Sequence, residues 1–353
     1  MVVYLYCKGL TDMKKILALI LLCALIPNFL LACTQESEEG EIASSSTEES
    51  ITESKPEGEA EKSDAPTLTR PEEISIVVLG DSIARGATLG DVENDRYSAL
   101  LAEMLKKDYK AVSVANYGID GQTGAELLES IKANPAKELS DCDYIIISIG
   151  GNNILQFLNT LEGAEEFTSG ISPEIFANYF RYIIAETEEE KQSLAYTCET
   201  ISNAFGMLNS AYASEQFDAL IDSASAKLRQ EIPQIVSELK SINGNAEIII
   251  QTVYNPYKDM IVKLTDVKEI LDMDKNGESA VSRLNAPIKE LAEENGYTVI
   301  DIYSVFEESI KTLTFAGVDV TKASFSLDPH PNEKGHALIA ETYYKYLTEK
   351  YDG

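Results

Sequence analysis

Two runs, Ile145-Ile146-Ile147 and Ile248-Ile249-Ile250, are apolar at every position rather than at alternate ones. A β-branched run of this kind has no face to offer water. Strands built from it need cover on both sides, as the parallel strands of an α/β sheet have. Further short apolar runs alternate with amphipathic stretches of helical period. The spacing predicts strands at 74–79, 111–115, 144–149, 246–252 and 298–302, and helices at 97–107, 124–133, 279–295 and 335–350. This alternation predicts one open α/β sheet, in which ligands bind outside the carboxyl ends of the strands. The stretch from about 155 to 243 exceeds the dozen or so residues that a crossover helix needs. Ser172-Pro173-Glu174 is a good helix start within it, followed by Phe176, Tyr179, Phe180 and Tyr182. An extra helical layer with its own small core accounts for these aromatics, and a cap shaping access to an active site is the sharper reading.

The N-terminal part does not read as folded domain. Met13-Lys14-Lys15 precedes the apolar stretch 16–29, then Leu30-Leu31-Ala32-Cys33. This order is that of a secretory signal, with Met13 the expected true start. Cysteine directly after the small residue resembles a bacterial lipobox, which implies lipidation of Cys33 and retention on the outer face of the cytoplasmic membrane. Pro27 and Asn28 interrupt a stretch already short for a membrane span. Residues 1–33 are thus expected to be leader. Residues 34–70 are Glu, Ser, Thr and Pro with almost no large apolar side chain, an acidic tether too poor in apolar surface to fold. The folded domain is expected over 71–353. A net charge of −30 makes nucleic acid an unsuitable partner. Of five cysteines, only Cys142 and Cys198 lie in the expected domain. Two free, buried thiols fit them better than a disulfide framework.

Histidine is scarce: His330 and His336 are the only two, both in Asp328-Pro329-His330-Pro331-Asn332-Glu333-Lys334-Gly335-His336. Imidazole is the side chain whose ordinary pKa suits proton shuttling near neutrality. At the other end of the expected domain, the first apolar run stops at Gly80-Asp81-Ser82. A serine just past a buried strand, with a late histidine preceded by an acid, is what a serine hydrolase needs. Ser82 is then the nucleophile and His330 the general base. The plainer roles are a helix N-cap for Ser82 and a surface position for His330. His336 opens the last helix and reads as structural. Two histidines six apart with no third ligand nearby do not make a zinc site.

Four stretches in order, Gly80-Asp81-Ser82-Ile83, Asn116-Tyr117-Gly118-Ile119-Asp120-Gly121-Gln122-Thr123, Gly150-Gly151-Asn152-Asn153 and Asp328-Pro329-His330-Pro331, together resemble the blocks of the SGNH hydrolases, the GDSL lipase/acylhydrolase family. The resemblance runs from about 74 to 351. It implies a three-layer, flavodoxin-like fold with a central five-stranded parallel sheet, helices on both faces and a long helical insertion after the third strand. It also implies an oxyanion hole made by the backbone N–H groups of Ser82 and Gly121 and the side-chain amide of Asn152. The plainer readings of Gly121 and Asn152 are a turn glycine and a turn or cap residue.

Three positions depart from the family pattern. Asn153 stands where Asp is common, and Ile83 replaces leucine. The usual Asp-x-x-His spacing is shortened, because Asp328 is two residues before His330 and Leu327 holds the usual acid position. Either Asp328 or a backbone carbonyl near Leu327 then orients the imidazole. Asp272-Met273-Asp274-Lys275-Asn276-Gly277 imitates half of a calcium loop, but its closing position is Arg283, so a polar turn before the next helix is the expectation. The reading that results is a cell-surface esterase acting without a cofactor on a glycan O-acyl or lipid ester, held to the membrane through lipid on Cys33. Its rivals are a catalytically inactive surface binding protein of the same fold, and an acyltransferase acting on glycans.

Overall fold

The computed structural model describes residues 3–4, 69–152, 165, 169–319 and 324–351. The leader apart from 3–4, with Cys33, almost all of 34–70, Asn153 and the first part of the 155–243 stretch lie outside the described residues. Residues 69–353, with 1–7, form one compact unit. Its N-terminal edge is tied down at once, where Arg70 pairs with Asp108 at 2.6 Å.

Five strands make the central sheet: β1 (Glu73–Gly80), β2 (Ala111–Gly118), β3 (Tyr144–Ser148), β4 (Glu247–Gln251) and β5 (Thr298–Ile300). All neighbours are parallel, and the order is β2-β1-β3-β4-β5. The α/β class, the five parallel strands and the helices around them agree with the sequence reading. Every residue of β3 is buried, as its unbroken apolar run requires.

Alternate residues of these strands feed two separate cores. Val77, Leu79, Ile145, Ile147, Ile248 and Ile250 face one side. They meet α3 (Gly124–Ala133), α6 (Glu215–Ile242) and α7 (Met273–Glu290), whose Leu127, Leu228, Ile232 and Ile288 are nearly or wholly buried. Ile76, Val78, Ile146 and Ile249 face the other side, against α2 (Tyr97–Leu105) and α8 (Glu333–Glu349). Burying a single such side chain contributes about 1.5–3 kcal/mol, so these two interfaces dominate the stability of the layers.

The long segment after β3 divides physically. Helix α6 spans 28 residues and covers the sheet. Helices α4 (Pro173–Ile184) and α5 (Tyr196–Tyr212) instead bury Phe176, Tyr179, Ile201, Phe205 and Leu208 in a cluster of their own with Tyr257, Met260 and Leu271. Phe325, in the hairpin Gly317–Asp319/Ser324–Ser326, stacks on Phe176 at 5.2 Å. A short strand Ile261–Lys263 pairs antiparallel with Leu271–Asp272 and parallel with Val3–Tyr4.

One expectation is corrected. Helix α7 begins at Met273 rather than near 279, and the imitation calcium loop is its first turn and a half. Asp272 is the N-cap, its carboxylate accepting from Lys275 N at 3.2 Å. Gly277 hid the helix in the sequence. It is needed because a Cβ there would stand 2.1 Å from Asn255 Oδ1. Cys142 and Cys198 are both free and buried.

Candidate active site

The site is built outward from the end of β1. Gly80 pairs with Gly118 on one side and Ser148 on the other. It adopts φ 131°, and a Cβ there would lie 1.9 Å from the Ser148 carbonyl oxygen, so only glycine lets the chain turn this close to β3. Asp81 then caps the short helix α1 (Ser82–Arg85), its Oδ1 accepting from Ile83 N at 3.0 Å. The cap is therefore Asp81, which leaves the Ser82 hydroxyl free of that duty. Gly86, at φ 86°, closes the helix.

Ser82 Oγ lies 2.9 Å from His330 Nε2, and His330 Nδ1 lies 2.6 Å from Asp328 Oδ1. The structure thus joins in one hydrogen-bonded line three residues whose first and last, Ser82 and His330, are 248 positions apart in the chain. The shortened acid spacing is accommodated because the Asp328 carboxylate folds back over Pro329. Its Oδ1 accepts from His330 N at 3.0 Å as well as meeting the ring. Burial alone would raise the Asp328 carboxyl, but the hydrogen bonds and charge of His330 hold it below its ordinary value.

The loop carrying this pair is braced from beneath. Tyr254 OH donates to Pro329 O at 2.8 Å, and Tyr257 OH donates to Leu327 O at 3.1 Å. Phe315 N donates to His330 O at 3.0 Å, and Asp328 N donates to Ser326 Oγ at 3.1 Å. The Leu327 carbonyl is thus engaged by Tyr257, and the group on His330 Nδ1 is the Asp328 carboxylate. Both tyrosines follow β4 in Val253-Tyr254-Asn255-Pro256-Tyr257, a segment pinned by Asn285, whose amide bonds Val253 N and O at 2.8 Å each. Sequence reasoning did not identify Tyr254 and Tyr257. The one available signal was a pair of aromatics at the carboxyl end of a central strand.

Asn152 Nδ2 donates to the Gln122 carbonyl at 3.1 Å, which leaves its second amide hydrogen for another acceptor. Gly121, next to Gln122, adopts φ 75°, with open space where a Cβ would stand. The loop that carries it is held against α1. Asn116 Nδ2 donates to Ala84 O and to Ser98 Oγ, each at 2.7 Å, and Arg85 pairs with Asp120.

Two buried ionisable groups lie near the line. Burial pushes the Asp81 carboxyl up to about 7, against the opposing effects of Ile83 N–H, the His330 charge and Ser148. Ser148 in turn accepts from Gln251 Nε2 at 3.1 Å, and Gln251 Oε1 accepts from Tyr343 OH at 3.0 Å. His336 is wholly buried, stacks on Tyr97 at 6.0 Å and accepts from Tyr97 N through Nδ1 at 3.2 Å. Burial pulls its pKa down to about 4, so it is neutral at pH 7. It takes no part in the line, being enclosed in the α2–α8 layer. Among the described residues, no group of three or more His, Cys, Asp or Glu side chains is placed to hold a metal ion.

A cavity of about 70 Å³ opens beside Ser82, Asn152 and His330. Apart from these groups and Asp81 its walls are mostly apolar, and Tyr212 and Phe217 bring the α5–α6 turn to it.

An α/β sheet with a serine, a histidine and a carboxylate aligned at its carboxyl edge defines a hydrolase-type architecture. The model of the GDSL-like lipase/acylhydrolase family matches residues 78–338, and the chain belongs to that family. It is an ester hydrolase. An uncharacterized protein of Bacillus subtilis (strain 168), YpmR, is 22% identical over 283 residues, covering 79% of this chain and 83% of that protein. The fold is similar to that of a lipase from a goat rumen metagenome, with a TM-score of 0.50 and 16% identity, over 78% of this chain and 97% of the lipase. An acetylxylan esterase from Geobacillus stearothermophilus aligns with a TM-score of 0.45 and 16% identity, over 80% of this chain and 96% of that one.

Proposed function

We propose that this chain is a serine esterase that cleaves carboxylic esters through an acyl-enzyme on Ser82. The observation that carries the reading is the line Ser82 Oγ–His330 Nε2 at 2.9 Å and His330 Nδ1–Asp328 Oδ1 at 2.6 Å. Ser82 Oγ attacks the ester carbonyl carbon while its proton passes to His330 Nε2. The carbonyl oxygen becomes an oxyanion facing Ser82 N–H, Gly121 N–H and the second amide hydrogen of Asn152. When the intermediate collapses, His330 returns the proton to the leaving alcohol. A water then repeats the sequence on the acyl-enzyme, with His330 as base, releasing the acid and restoring Ser82. Asp328 keeps the proton of the neutral ring on Nδ1, and it stabilises the imidazolium that forms between the two proton transfers.

The location belongs to the same proposal. Residues 1–33 direct export, lipid on Cys33 holds the chain to the outer face of the cytoplasmic membrane, and 34–70 form the tether. The support is the signal-like order Met13-Lys14-Lys15, the apolar stretch after it, and Ala32-Cys33.

The test is turnover of p-nitrophenyl esters by the wild type, Ser82→Ala and His330→Ala. Both variants should lose activity by on the order of 10³-fold or more while keeping the fold. Turnover unchanged in Ser82→Ala would remove the acyl-enzyme from the account.

A further inference from the structure

The cavity beside Ser82 has few polar groups and a mostly apolar wall. Ser82, Asn152 and His330 line it together with Phe217, Ala280, Val281 and Leu284, and these four apolar side chains are buried. Phe217 is locked edge-on against Tyr212, ring centres 4.6 Å apart, at the turn between α5 and α6. Helix α7 brings Ala280, Val281 and Leu284 to the cavity, and Ala280 packs in one cluster with Phe217 and Ile221. Tyr254 and Tyr257 complete the wall with their hydroxyls already bonded to the Pro329 and Leu327 carbonyls. A sugar hydroxyl would meet few partners there, and burying one without a partner is costly.

We propose that this cavity takes the acyl chain of the substrate, and that the preferred ester carries a straight, medium-length chain of about four to eight carbons rather than an acetyl group. The proposal rests on the reading of Ser82 as the acyl carrier. A volume of about 70 Å³ has room for roughly five water-sized groups, each comparable to one methylene. An acetyl group fills only a small part of that volume and leaves most of the apolar wall unfilled. Each further methylene moves from water to the cavity wall, which is worth about fourfold in kcat/KM until the cavity is full. Val281 lines the cavity from α7, and Tyr212 and Phe217 line it from the α5–α6 turn. The helical segment after β3 thereby acts as a specificity element for the acyl group.

The experiment is kcat/KM for p-nitrophenyl acetate, butyrate, hexanoate, octanoate and laurate with the wild type, Val281→Phe, Val281→Ala and Ser82→Ala. The wild type should favour hexanoate over acetate by more than tenfold and lose rate at laurate. Val281→Phe should lower the hexanoate-to-acetate ratio by at least tenfold, and Val281→Ala should move the optimum to longer chains. If Val281→Phe does not fold, the wild-type profile and Val281→Ala carry the test. A wild type that prefers acetate, or a chain-length profile unmoved by the folded Val281 variants, overturns the proposal. The outcome for the underlying reading is separate. Turnover that survives in Ser82→Ala removes the acyl carrier itself, whereas an inactive Ser82→Ala beside a flat wild-type profile removes only the acyl-chain assignment.

Discussion

Asp328 holds His330 twice, through the ring Nδ1 at 2.6 Å and through the backbone N–H at 3.0 Å, both on the same carboxylate oxygen. The double contact is possible because one proline separates the two residues. The carboxylate therefore reaches the backbone as well as the ring, and it orients the imidazole although it is one residue closer than the family pattern.

Replacing Asp328 with asparagine keeps the shape but offers an amide where the ring needs an acceptor on Nδ1. Steady-state kinetics of Asp328→Asn should show kcat lowered by on the order of 10²–10⁴ with KM little changed. A kcat within threefold of wild type would mean that another group orients the ring.

Asn152 has one amide hydrogen on Gln122 O, and the proposed mechanism gives its second to the oxyanion. Asn152→Ala should lower kcat by on the order of 10²–10³. Circular dichroism should stay native, since one hydrogen bond of about 1 kcal/mol is lost. An unchanged kcat would take Asn152 out of the oxyanion hole.

Tyr254→Phe and Tyr257→Phe each remove a hydroxyl from a carbonyl of the catalytic loop. Each should cost about 0.5–1.5 kcal/mol in denaturant unfolding, because a part-buried carbonyl loses its donor. The loop also loses a brace on one side of Asp328, so kcat should fall several-fold in each variant. A loss of stability with kcat untouched would make these tyrosines structural only.

His336 makes stability depend on pH. Its folded pKa of about 4 lies below the ordinary 6.5, so below pH 6.5 the unfolded chain gains a proton that the folded chain refuses. Stability from this group is intact above 6.5 and falls as the pH drops toward 4, by about 3 kcal/mol in all. Asp81 works in the opposite direction. Its folded pKa is raised to about 7, so its contribution is full below its ordinary 3.8 and is lost as the pH rises toward 7. Urea unfolding of the wild type and His336→Gln at pH 7 and pH 4.5 isolates the histidine, because Asp81 is common to both. The variant should be less stable at pH 7 and lose less on acidification. Equal losses on acidification would show that His336 is protonated in the folded state.

The sheet was legible because physics leaves few choices for runs such as Ile145–Ile147, which need cover on both faces. Ser82 and His330 were legible because one ends a strand and the other is one of two histidines in the chain. The braces on the catalytic loop were not. Tyr254 and Pro329 are 75 residues apart, Tyr257 and Leu327 are 70 apart, and a hydroxyl-to-carbonyl bond leaves no local pattern. The early start of α7 was hidden for a different reason. Gly277 and the acidic run around it have low helix propensity, and the cap at Asp272 together with the close packing of Gly277 on Asn255 outweighs it.

The most direct test of the Ser82–His330 line is the site of covalent capture by a fluorophosphonate, read by peptide mass mapping. The account predicts one adduct per chain, on the peptide containing Ser82, absent in Ser82→Ala and strongly slowed in His330→Ala. An adduct on another serine, or a folded wild type that takes none, would contradict it.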